Sequence, residues 1–136
     1  MSKIHVFILS ICLLFSKTSY AKWTFVIEST AGSKVYVEFD SIKTNERYVY
    51  FWQIINNSKR NKFGDLSSKV FYELDCKSLG MRGLKFNYYK KKSAKGNPSF
   101  SSSEPDKNWF YGNANSAQEV VANKVCNYSA EKYFSN

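Results

Sequence analysis

Residues 48–55 constrain this chain more than any other segment, because they are apolar on both faces of an extended run. Tyr48, Tyr50, Trp52 and Ile54 alternate with Val49, Phe51 and Ile55, the pattern of a central strand covered on both sides. Such a strand needs a neighbour on each edge and something packed on its second face. Residues 34–40 are simpler. Val35, Val37 and Phe39 share one side while Lys34, Tyr36, Glu38 and Asp40 share the other, as in a strand with one dry and one wet face.

The surrounding segments supply partners. Residues 23–28 read as a strand closed by Thr30-Ala31-Gly32-Ser33, a turn-forming run. Residues 69–76 place Val70, Tyr72, Leu74 and Cys76 on one face, and residues 81–89 place Arg82, Leu84, Phe86 and Tyr88 in one register. The short link at 77–80 makes these two a hairpin. Residues 56–67 and 90–103 are polar and basic loops, with Phe100 on a short edge strand.

The period then changes. Ser116-Ala117-Gln118-Glu119 has the form of a capping box, in which the serine oxygen accepts from the backbone three residues on and the glutamate reaches back. The spacing predicts a helix over 117–127 that aligns Ala117, Val121 and Val125, with Val120 and Ala114 beside them. A helix this short is marginal alone and needs tertiary packing, which the strand at 48–55 can provide. The fold class is α+β: a single antiparallel β-sheet of about five or six strands with one C-terminal helix packed on it. No internal repeat or second domain is visible.

Lys3 and His5 precede residues 6–15, which are apolar apart from Ser10, and Ser19-Tyr20-Ala21 follows. Small residues at −3 and −1 suit a signal peptidase, so residues 1–21 are expected to be a secretory signal and 22–136 the exported domain. The apolar run falls well short of the ~20 residues that cross a bilayer core, and the exported chain has no transmembrane segment. Cys12 invites a lipoprotein reading, but Ile11 stands where such signals carry Gly, Ala or Ser. Simple cleavage fits better.

Export leaves Cys76 and Cys126 as the remaining cysteines, and two cysteines outside the cytosol most often pair. That bridge would pin the helix to the sheet. A reactive thiol would need a nearby base, and the only histidine, His5, leaves with the signal. Its loss also removes the usual hydrolytic triads and histidine-containing zinc sites. Asp40, Glu46, Asp65, Glu73, Asp75, Glu104 and Asp106 offer carboxylates, but nothing in their spacing selects the pair that glycoside hydrolysis requires. The glycines follow no G-x-G-x-x-G spacing. No enzyme, cofactor or metal is expected.

The chain carries a formal charge of +9, and loss of Lys3 and Lys17 with the signal leaves +7. Such a surface is drawn to anionic partners. The candidate binding residues are Lys59, Arg60 and Lys62 in one loop and Lys90, Lys91, Lys92 and Lys95 in the other; the alternative is a pair of solvated loops. Tyr36, Tyr50, Trp52, Tyr72 and Tyr88 are expected as core or cross-strand partners, although aromatic residues are also what protein-binding surfaces favour. Base stacking on RNA is set aside, because an exported domain does not meet nucleic acid productively.

The order of these landmarks resembles the bacterial surface-adhesin E family, small exported proteins of Gram-negative bacteria. The resemblance rests on Trp23, on the run from Val35 through Asp40-Ser41-Ile42, on Val49-Tyr50-Phe51-Trp52, on Tyr72-Glu73-Leu74-Asp75-Cys76, and on Trp109, Ser116 and Cys126. It implies an antiparallel sheet with a C-terminal helix joined by the two cysteines, and adhesion to host extracellular-matrix or serum proteins. Gly112-Asn113-Ala114-Asn115 lacks the proline that the family carries before its helix. The expected function is an exported, non-enzymatic binding protein that engages host proteins or anionic glycans. The alternative is a periplasmic envelope or inhibitor-type protein bound to a protein partner, and a second copy of the chain is a further candidate partner. The expected location is the periplasm, the outer-membrane surface or the extracellular space.

Overall fold

The computed structural model describes residues 20–134; the expected signal through residue 19, with Cys12, lies outside the described residues. The strand at the centre is β4, Tyr48–Asn56, paired along its whole length with β5, Ser67–Asp75. On its other edge, β2 (Lys34–Val37) pairs with residues 53–56 and β3 (Lys43–Thr44) with residues 49–50. With β1 (Thr24–Glu28), β6 (Gly80–Tyr89) and β7 (Phe100–Ser102) the result is a seven-stranded antiparallel sheet in the order β1-β2-β4-β5-β6-β7.

The segment read as one strand over 34–40 ends at Val37 and turns through a short 3-10 stretch, Phe39–Ser41. Phe39 leaves the ladder to pack on Tyr128, with ring centroids 5.2 Å apart. This turn lets the chain re-enter as β3 beside the same strand.

One helix, α1 (Ala117–Phe134), lies across one face of the sheet. Val121, Ala122 and Val125 are buried against Val35, Val37, Val49, Phe51, Leu74 and Met81, a contiguous apolar core of the kind that holds a domain of this size together. Ser116 caps the helix as expected, its Oγ accepting from the Glu119 N–H at 3.2 Å. Glu119 reaches back to the Asn115 N–H, and Ala114 is exposed in the turn before the cap. The helix runs past 127, because Tyr128 and buried Ser129 continue its inner stripe and the Tyr133 hydroxyl donates to the Ile42 carbonyl at 3.1 Å. Cys126 is bonded to Cys76, with Cα atoms 5.8 Å apart, so the helix is fastened to the end of β5.

Among the described residues, the second face of β4 is not covered as its pattern demanded. Val49, Phe51 and Gln53 are buried towards the helix, but Tyr48, Tyr50 and Trp52 are only half-buried on the face opposite α1. They shield one another: Tyr50 and Trp52 lie 6.1 and 5.0 Å from the Phe71 ring, and Tyr48 lies 5.5 Å from Trp109. Cross-strand aromatic pairs of this kind supply apolar contact without a second layer. Ile54 is the exception, buried to 3% exposure at the end of the sheet where the chain after β6 folds over.

A bulge also revises the register of β6. Phe71 faces Lys85 and Tyr72 faces Gly83, so Leu84 is the extra residue. A bulge of one residue exchanges the faces on either side of it. Arg82 and Lys85 therefore share the open face, while Phe86 and Tyr88 lie on the helix side.

Candidate functional site

The two basic loops meet at one end of the sheet. Residues 57–66 join β4 to β5 and residues 90–99 join β6 to β7. Lys90 Nζ lies 2.8 Å from Asp65 Oδ1 and donates to the Phe63 carbonyl at 2.6 Å. Arg60 donates through one Nη atom to the carbonyls of Gly64 and Lys90, each at 2.9 Å. Ser99 donates to Asp65 Oδ1 at 2.8 Å, and the Ser58 hydroxyl reaches the Ala31 carbonyl in the turn between β1 and β2. Three loops thus form one continuous end. Lys90 and Ser99 hold the Asp65 carboxyl below its ordinary range, as expected for a carboxylate that accepts from a cation and a hydroxyl.

The candidate residues therefore divide. Arg60 and Lys90, though exposed, have their polar ends committed to fastening loop to loop. Lys59, Lys62, Lys91, Lys92 and Lys95 are exposed, and none of them joins an ion pair among the described residues. Two rings that the sequence did not mark as binding candidates are exposed at the same end of the sheet: Phe63 and Phe100, at 69% and 58% exposure. Both border a cleft of about 630 Å3 with Tyr88, Lys90 and Ser99. No periodicity marked Phe63, and Phe100 looked like an ordinary edge-strand residue. A second concavity of about 260 Å3, bordered by Tyr72, Phe110 and Gln118, lies between the start of α1 and the sheet.

Residues 91–95 fold across the open face of the sheet. The Ser67 hydroxyl, wholly buried, donates to the Lys91 carbonyl at 2.5 Å and accepts from the Ala94 N–H at 3.0 Å. Asn56 accepts from the Ser93 N–H at 2.6 Å. Ser93 and Ala94 both have positive φ, 60° and 53°, a conformation that side chains with a Cβ rarely take and that neighbouring contacts must enforce. The loop carrying three lysines is therefore held in one shape.

On the part of that face formed by β5, two carboxylates are already matched. Glu73 accepts from Arg82 at 2.8 Å and from the Tyr50 hydroxyl at 2.9 Å. Burial works against the Asp75 carboxylate, but the Lys77 N–H and Arg47 outweigh it and hold the group below its ordinary range. Burial raises Tyr50, with the Glu73 carboxylate adding to it. No group of three or more His, Cys, Asp or Glu among the described residues is placed to hold a metal ion. No helix among them is long and apolar enough to cross a membrane.

Comparison with known proteins gives a consistent picture. A family model described as Surface-adhesin protein E matches residues 23–127. Crystal form II of Haemophilus influenzae protein E superposes with a TM-score of 0.61 at 14% identity, covering 82% of this chain and 92% of that one. Its selenomethionine form gives 0.58 at 12% identity, over 80% and 88% of the two chains. Protein E from non-typeable Haemophilus influenzae gives 0.54 at 12% identity, over 83% and 81%. At these identities the structures speak for the shared fold. No curated protein sequence matches.

Proposed function

Because this chain belongs to the surface-adhesin protein E family, we propose that it is an exported, non-enzymatic binding protein whose joined basic loops engage extracellular-matrix or serum proteins of a host, or anionic glycans. In this reading residues 1–21 are the cleaved signal and residues 22–136 the working domain.

The observation that carries the reading is the union of residues 57–66 and 90–99 through Lys90, Arg60 and Asp65. It brings the exposed Phe63 and Phe100 rings to one cleft, with the Lys62 ammonium 5.0 Å from the Phe63 ring centre and five outward lysines carried on the same two loops. Apolar rings within a cationic rim form the arrangement that protein interfaces use: aromatic anchors supply affinity, and surrounding charge guides encounter and selects the partner. The clamps hold the loops before a partner arrives, which lowers the ordering entropy that binding must overcome. Nothing in the arrangement sets an acid and a base against a common reacting atom.

The test is titration of the purified, disulfide-bonded domain onto immobilised vitronectin and laminin at physiological salt. Saturable binding to either supports the reading, and absence of binding to both contradicts it. Protease treatment of intact producing cells tests the location: digestion of the domain supports surface exposure, and full protection places it in the periplasm.

A further inference from the structure

We propose that the open face of the sheet, opposite α1, is a binding track for a sulfated glycan chain, with Lys69 and Lys85 as its central contacts. This deepens the binding reading above and rests on it for the exported location, but it assigns a different surface from the Phe63–Phe100 cleft.

The track is built by register. Lys69 on β5 and Lys85 on β6 fall on the open face, diagonal to each other through the pairs Lys69–Asn87 and Phe71–Lys85. The Lys69 ammonium lies between two indoles, 5.0 Å from the Trp52 ring centre and 5.5 Å from Trp23. That of Lys85 lies 5.6 Å from Phe71. Ring faces hold a cation by their quadrupole, so both ammoniums are positioned in advance, and neither joins an ion pair among the described residues. Lys34 is exposed on the same face and pairs in register with Asn56, whose side chain anchors the loop that carries Lys91, Lys92 and Lys95. The cationic groups therefore form a run across β6, β5, the loop and β2.

The carboxylates on the strands that carry Lys69 and Lys85 do not offset their charge. Glu73 and Asp75 are already neutralised by Arg82 and Arg47, and Glu28, exposed opposite Lys34, faces the far end of the run at β2. Around the ammoniums the face presents the rings of Tyr50, Trp52 and Phe71, packed against one another across the strands. The surface is complementary to a chain of anions and repels a second copy of itself.

A sulfated polysaccharide fits better than an acidic polypeptide. The backbone groups of β4 and β5 are paired with strands on both sides, so a peptide finds no edge to extend. A flexible acidic peptide must also give up backbone entropy to lie on a flat surface. A stiff sugar chain with permanent sulfates loses less and meets lysines as point charges.

The experiment is calorimetric titration of the disulfide-bonded domain with a heparin-derived octasaccharide, in wild type and in K69Q/K85Q. Glutamine keeps most of each apolar stem over the rings. The expected result is saturable binding that weakens as salt rises, as counterion release requires, and that falls about tenfold or more in K69Q/K85Q. In K59Q/K62Q, on the loop at the Phe63 side, it should change less than about twofold. Octasaccharide should also protect Lys69 and Lys85 of the wild type from amine labelling, a readout independent of any effect of substitution on folding. Wild-type affinity in a folded K69Q/K85Q, absence of protection, or equal binding of poly-L-glutamate would each overturn the assignment. Loss of vitronectin and laminin binding with octasaccharide binding intact would defeat the host-protein reading and leave this one standing.

Discussion

Lys90 Nζ stands 2.8 Å from Asp65 Oδ1, across 25 residues of sequence, and this contact makes one surface of two loops. The carboxylate is buried to 5% side-chain exposure while the lysine remains 54% exposed. Removing the lysine strands a buried charge, whereas removing the charge leaves only a solvated lysine.

The K90M variant should therefore melt at a lower temperature than D65N, and both below wild type, as read by calorimetry at neutral pH. The pair also sets an acid limit. Asp65 titrates below its ordinary 3.8 in the folded chain, so its contribution is present above the unfolded value and is lost as pH falls through the folded one. Acid unfolding curves of wild type should drop more steeply than those of D65N below pH 3.8. Parallel curves would deny the pair this role.

The bridge between Cys76 and Cys126 closes 50 residues of chain, for which loop-closure entropy alone gives about 4 kcal/mol. The C76S/C126S double variant should lose a large part of that amount in urea unfolding, and α1 should be the first element to gain amide exchange. An unchanged urea midpoint would mean that helix packing alone holds the far end.

Tyr72 lies under the helix side of the sheet, stacked 5.6 Å from Phe51, and burial pushes its hydroxyl from 10.0 to about 12, with Tyr88 and Asp106 adding to the shift. Because the folded value is raised, the protein is fully stable below the unfolded value and loses stability as pH climbs towards the folded one. Wild type should lose about 2–3 kcal/mol between those limits. Y72F should not show this loss, and chemical denaturation at stepped alkaline pH compares the two.

Gly83 allows the bulge on β6. A Cβ there would overlap the Phe86 ring and come within 2.9 Å of an Asp106 carboxylate oxygen. G83A should destabilise the domain by about 1–3 kcal/mol, the range for forced overpacking, measured by urea midpoint. Neutral behaviour would show that the Phe86 ring can move aside.

The strand segments and the helix start were legible because their periods are strong: Val35 and Val37 alternate with polar neighbours, and Ser116 and Glu119 form a recognisable cap. The bridge followed from the expected export, which leaves two cysteines in the domain. The uncovered face was not legible, since Tyr48, Tyr50 and Trp52 look the same whether a second layer or their own neighbours shield them. Nor was the exchange of faces at Leu84, which depends on how β6 pairs with β5 and not on composition. At the loops the charge was visible, but not that Arg60 and Lys90 spend theirs on carbonyls and on Asp65. Long-range partners such as Lys90–Asp65 and Tyr133–Ile42 leave no local trace in a sequence.

The most direct test of the central claim replaces the outward residues of the joined loops. Binding to immobilised vitronectin and laminin is measured for wild type and for F63S/F100S, with circular dichroism confirming the fold. The account predicts saturable wild-type binding to at least one of them and a loss of about tenfold or more in the variant. Equal binding by the variant would contradict the assigned surface, and no binding by wild type would contradict the function.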